Sequence, residues 1–205
     1  MKRYLLIVGM LLCCFLITCK STEQISKESK IMYTDERIIK VYRQEVPALR
    51  FIGKKYGNND RVNGMFGKHW GDWYENGWFG IIENLIDFNM NTLFENGNDN
   101  IGLMRDNNGE FEYWIGKFMP ENTIVPEGFN YYDFPKGAFA ITWLYDYESK
   151  IFGLEGMVGE NLNKLGYEVI VCKENSIWAF ERYTNRFGTP DEKGKIILDI
   201  GFFIK

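Results

Sequence analysis

Ile101-Gly102-Leu103-Met104-Arg105, then Asp106-Asn107-Asn108-Gly109, then Phe111 to Met119: two apolar runs flank a polar turn rich in Asn and Gly. The turn chemistry predicts a β-hairpin. Working outward from it, Ile38 to Arg43 predicts a strand, Val46-Pro47 a turn, and Leu49 to Tyr56 a returning strand. Phe66, Trp70 and Trp73 recur at helical spacing. Trp78, Ile81, Ile82, Leu85 and Ile86 predict a second helical stretch beyond Gly77. Downstream, Phe129 to Phe134 and Ala138 to Leu144 flank Pro135-Lys136-Gly137, a second predicted hairpin. Ile151, Leu154, Val158, Leu162 and Leu165 form another helical stripe, stopped by Gly166. Strands follow at Tyr167 to Val171, Ile177 to Tyr183 and Lys195 to Ile204.

The order of elements repeats. Each half contains strands, a helical stretch and further strands, so the pattern predicts an α+β fold of duplicated strand-helix-strand-strand units with antiparallel sheets. Two such units side by side leave a central cleft, a favoured place for a ligand.

The N-terminus reads differently. Lys2 and Arg3 precede Tyr4 to Thr18, an uncharged and mostly apolar run of 15 residues. A membrane-spanning helix needs roughly 20, so the run fits the core of an export signal. Leu16-Ile17-Thr18-Cys19 resembles the bacterial lipobox, with Thr18 in place of the usual small residue. The expected organisation is a lipoprotein signal peptide over 1–18, a lipidated Cys19 with a polar tether over 19–35, and one domain over 36–205. The expected location is extracytoplasmic, in the periplasm or at the cell surface, with Cys19 as the membrane anchor. Of the four cysteines, Cys13 and Cys14 leave with the signal, which leaves Cys172 without an intrachain disulfide partner. An exported domain of this kind depends on its hydrophobic core.

The precursor has 205 residues and a formal charge of −4, and loss of Lys2 and Arg3 takes it to −6. That balance argues against nucleic acid as a partner. The composition is that of a globular protein, but 16 Phe, 12 Tyr and 6 Trp exceed what a small core needs. Some rings are therefore expected to line a ligand site. His69 is the only histidine, too few for a usual zinc site, so neither a metal nor a cofactor is expected.

Several segments together resemble a known family. In order they are Phe51-Ile52-Gly53, Ile101-Gly102-Leu103, Phe111 to Gly116, Pro126-Glu127-Gly128-Phe129, Phe134 to Ile141, Leu165-Gly166-Tyr167-Glu168 and Phe180-Glu181-Arg182-Tyr183. The set resembles the GyrI-like small-molecule-binding domain, also called the AraC-type effector-binding domain, from about Arg37 to Lys205. The resemblance implies a duplicated fold with a central cleft that binds lipophilic cations in some members and hydrolyses cyclopropane-containing compounds in others. It also implies a functional glutamate at Glu181. Two positions depart from the family pattern: Tyr145-Asp146 replaces a glycine after the sixth strand, and Asn161-Leu162-Asn163-Lys164 lacks a tryptophan.

Strand alternation puts Ile177, Ala179, Glu181 and Tyr183 on one face and Trp178, Phe180 and Arg182 on the other. On this ground alone Glu181 either faces a cleft or is solvated above a core built from Trp178 and Phe180; the resemblance favours the cleft. The expected ligand-binding residues are Glu181, Tyr183, Tyr113, Trp143 and Phe139, with Glu181 also the catalytic candidate. Phe139, Ile141 and Trp143 share a face, while Trp70 and Trp73 are assigned to a core stripe. The expected function is a membrane-anchored domain, without a DNA-binding domain, that binds a hydrophobic, flat or cationic small molecule. The alternatives are a hydrolase using Glu181 and a lipoprotein that presents the domain to a protein partner.

Overall fold

A computed structural model describes residues 33–86, 89–107, 109–170 and 177–205. The expected signal segment, Cys19, most of the expected tether, Val171 and Cys172 lie outside the described residues. Tyr33 to Asp35, expected in the tether, pack on the domain. Asn161 Oδ1 accepts from the Thr34 amide at 3.1 Å, and the Tyr33 hydroxyl accepts from the Val41 amide at 3.2 Å.

The elements are β1 (Ile38–Val46), β2 (Leu49–Gly57), α1 (Gly67–Glu75), α2 (Trp78–Glu83), β3 (Asn100–Asn107), β4 (Glu110–Pro120), β5 (Asn130–Phe134), β6 (Gly137–Asp146), α3 (Glu148–Ile151), α4 (Glu155–Lys164), β7 (Ile177–Tyr183), α5 (Asn185–Gly188) and β8 (Ile196–Ile204). Among the described residues the strands form one antiparallel sheet in the order β1-β6-β8-β7-β3-β4-β2-β5. The order is symmetric about the β7–β3 pair. The unit β2-α1-α2-β3-β4 is repeated as β6-α3-α4-β7-β8, which is the expected duplicated α+β fold.

The hairpin from β3 to β4 is present, but two other expected hairpins are not. β1 does not pair with β2, nor β5 with β6. Instead β1 lies on β6, and β5 lies on β2. Val46 pairs with Gly137, while Leu49 pairs with Phe134. Pro47-Ala48 and Pro135-Lys136 are therefore corners at which the chain crosses between halves, and the halves exchange edge strands. Short turn chemistry looks alike in the two cases; only the pairing partner separates a hairpin from a corner. Of the expected strand from Tyr167 to Val171, the described residues form a single bridge, between Val169 and Ile204.

The exchange curls the sheet around an aromatic interior. Leu49, Phe51, Phe118, Phe139, Trp178 and Phe180 are fully buried there, each contributing about 1.5–3 kcal/mol through burial. The outer face carries the helices. In β6, Ala138 and Ala140 are small enough to admit Val158 and Leu162 of α4. Over the other half, α1 buries Trp73 completely, and its indole donates to the Tyr56 hydroxyl at 3.0 Å. Gly77, at φ 63°, takes the left-handed conformation that turns α1 into α2. The two helical layers leave a gap above the central strands, where β7 meets β3.

Candidate functional site

Glu181 stands on β7 in that gap, paired across the ladder with Gly102 of β3. It points to the helical face and is 5% exposed. Its Oε2 accepts hydrogen bonds from the Tyr113 hydroxyl at 2.9 Å and from the Tyr183 hydroxyl at 2.8 Å. Among the described residues no basic side chain pairs with it. The Tyr113 hydroxyl also accepts from the Trp70 indole at 3.0 Å, which ties α1 to the carboxylate. The Tyr113 ring lies parallel to Phe66, with centroids 4.4 Å apart, and Tyr183 meets Trp70 at 4.6 Å.

Gly102 makes this arrangement possible. A Cβ there would lie 2.3 Å from the Tyr113 hydroxyl and 3.0 Å from Glu181 Oε2. A glycine within an apolar strand marks such a close approach.

The electrostatics follow from burial. Loss of solvent pushes the Glu181 carboxyl up to about 7, and the charge of Glu155, at the start of α4, pushes the same way. The two tyrosine hydroxyls pull it part of the way back. Burial, reinforced by the carboxylate, holds both phenols well above their ordinary range, so they remain donors. Burial also raises Glu155.

A pocket of about 440 Å³ opens above Glu181, a size suited to an organic ligand of ordinary dimensions. Tyr113, Tyr183 and Met104 line its floor, and Phe66, just before α1, and Trp70 of α1 line one wall. Phe152 and Glu155 form the other wall, and Arg61 and Met65 also line it. Met65 is 65% exposed. Such a site can neutralise a cation against Glu181 and stack flat apolar groups on its rings. Alternatively it can hold and transfer one proton near neutral pH.

Three of the expected site residues, Glu181, Tyr113 and Tyr183, come together here. Phe139 and Trp143 do not. Phe139 is fully buried on the interior face, 4.9 Å from Phe180 and 4.6 Å from Phe203. Trp143 shares that face, edge-on to Tyr42 and beneath Arg186. The two do lie on one face, as alternation predicts, but it is the face opposite Glu181. Trp70, assigned to a core stripe, lines the pocket. Glu155, Arg61 and Phe152 also line the pocket; they sit at the start of α4 or in the links before α1 and α4, where no apolar periodicity marks them as facing a site. Asn161 is buried against Thr34 and lies apart from the pocket lining. His69 also lies outside that lining; its Nε2 is 2.6 Å from the Asp60 carbonyl and its ring stacks on Tyr56.

The chain is similar in structure to SAV2435 bound to tetraphenylphosphonium, with a TM-score of 0.55 and 15% identity over 82% of this chain and 94% of that one. It is also similar to a proposed bacterial transcription regulation protein from Staphylococcus aureus MU50, with a TM-score of 0.51 and 15% identity over 81% and 98%. The architecture agrees with the GyrI-like fold. No protein-family model matches the sequence, and no curated protein matches it significantly. At this identity the likeness is one of fold.

Proposed function

We propose that the domain binds a small molecule that is hydrophobic, flat or cationic in the pocket over Glu181. The observation that carries this reading is a buried carboxylate, without a basic partner among the described residues, on the floor of an aromatic pocket. A bound cation supplies the opposite charge that the fold withholds, and the ring faces add attraction of their own. Tetraphenylphosphonium on the similar SAV2435 structure is a ligand of that chemistry, which makes it a suitable probe here. Calorimetric titration of tetraphenylphosphonium at about pH 8, where Glu181 is ionised, should show Glu181→Gln weakening affinity at least roughly tenfold. Unchanged affinity would overturn the reading.

A hydrolase is the second reading, favoured by a carboxyl held at about 7 between two tyrosine donors. Such a group can give or take a proton at neutral pH. Turnover of a reactive cyclopropane substrate by the wild type, lost in Glu181→Gln, would establish it. Presentation of the domain to a protein partner, with a vestigial cleft, fits a solvated Glu181 and a closed cleft; here Glu181 is buried beside an open pocket.

The same proposal makes the protein an extracytoplasmic lipoprotein tethered through Cys19, on the anatomy of the basic, apolar and lipobox-like segments. Cys19→Ser should then move the protein from the membrane to the soluble fraction.

A further inference from the structure

Arg61 stands apart from the other described arginines. Arg37, Arg43, Arg50, Arg105, Arg182 and Arg186 each lie within ion-pair distance of a carboxylate. Among the described residues Arg61 has no such partner. Its Nε donates to Asn58 Oδ1 at 3.2 Å and its Nη1 to the Gly64 carbonyl at 3.0 Å, both neutral acceptors. Asp60, its neighbour in sequence, is turned to the Gly57 amide at 2.7 Å.

The guanidinium is nevertheless well placed. It lies 4.5 Å from the centroid of Phe66 and 4.9 Å from that of Phe111, and all three residues line the Glu181 pocket. Phe66 is stacked on Tyr113, whose hydroxyl donates to Glu181. One continuous stack therefore has an unpaired guanidinium at its outer end and an unpaired carboxylate at its inner end. A ligand with positive charge alone would satisfy Glu181 while facing an uncompensated cation at Arg61. Nε and Nη1 are engaged by Asn58 and Gly64, and Nη2 has no acceptor among the described residues, so the planar guanidinium still offers an N–H to an incoming carboxylate.

We propose that Arg61 is a specificity-determining residue and that the ligand is amphoteric: a flat aromatic cation that also carries an anionic group, such as a carboxylate. The cationic part lies over Glu181 and the anionic group meets Arg61. This rests on the reading that Glu181 holds a cation.

The test uses a matched pair of dyes. Rhodamine B carries a free carboxylate on a cationic ring system, and its ethyl ester keeps the cation without the carboxylate. Fluorescence polarisation should show the wild type preferring the acid over the ester. Arg61→Gln should weaken the acid roughly three- to tenfold, a modest effect because the guanidinium is exposed, and leave the ester within about twofold. Arg61→Lys, which keeps the charge without the planar fork, should restore part of the preference. Equal loss for both dyes, no loss for either, or a wild type that prefers the ester would overturn the assignment of Arg61. Glu181→Gln reports on the underlying reading separately: it should weaken both dyes, and failure to weaken the ester would overturn cation binding itself. Absence of binding by either dye would overturn both.

Discussion

Glu181 and Arg182 are adjacent on β7, both buried, and treated in opposite ways by the fold. Arg182 is 1% exposed and points into the aromatic interior. Its Nη2 donates to Asp199 at 2.7 Å and to the Tyr42 hydroxyl at 3.0 Å, its Nε to Asp199 at 3.1 Å, and its Nη1 to Gln44 at 3.1 Å. Arg186 adds a second cation to Asp199, at 3.0 Å. Glu181, on the other face, has two hydroxyls and, among the described residues, no cation. A buried ion costs several kcal/mol unless it is paired. On the interior face the chain supplies the partners itself. On the helical face the deficit is left open beside a pocket, to be met by a proton or a ligand. The contrast separates a charge that serves the fold from one available for function.

The strongest way to break this comparison is to remove the partner on the paired side. Asp199→Asn leaves Arg182 buried without its carboxylate and should cost about 3–5 kcal/mol in urea unfolding. A loss well below 1 kcal/mol would contradict the claim that the interior pair is a structural unit. Gly102→Ala attacks the other face. Its new methyl would overlap the Tyr113 hydroxyl, so the variant should lose about 1–3 kcal/mol and most tetraphenylphosphonium affinity.

Glu181→Gln sharpens the contrast through pH. The ordinary value is 4.5 and the folded value is about 7. Between them the unfolded chain has released its proton while the folded chain keeps it, so raising the pH through this window favours unfolding. The ligand-free protein should lose stability there. Above the window, Glu181→Gln should be more stable than wild type by up to about 3 kcal/mol in thermal or urea unfolding, the reverse of Asp199→Asn. The smallest effects belong to Tyr113→Phe and Tyr183→Phe. Each removes a donor that favours the anion, so the pH midpoint of cation binding should rise by about half a unit to one unit.

Much of the fold was legible in the sequence because side-chain periodicity is local. The Asp106 to Gly109 turn, the stripe of Phe66, Trp70 and Trp73, and the alternation around Glu181 each indicate an element or a face without reference to the rest of the chain. The edge-strand exchange was not legible, since Pro47 and Pro135 would serve a hairpin or a corner equally well. Phe139 and Trp143 were misassigned for a related reason: alternation groups residues by face but does not say which face lies inside the curl. Both faces of β7 are buried, so the bulk of Trp178 and Phe180 could not mark Glu181 as solvated. Arg61 and Glu155 reach the pocket only through the tertiary fold and carry no local signal.

The most direct test of the central claim is the titration of Glu181 followed by NMR with carboxyl-labelled glutamate, with and without tetraphenylphosphonium. The free protein should show a Glu181 midpoint near the raised value of about 7, and the bound cation should draw it down toward the ordinary carboxylate range. A free midpoint at the ordinary value, or one the cation leaves unmoved, would contradict the account.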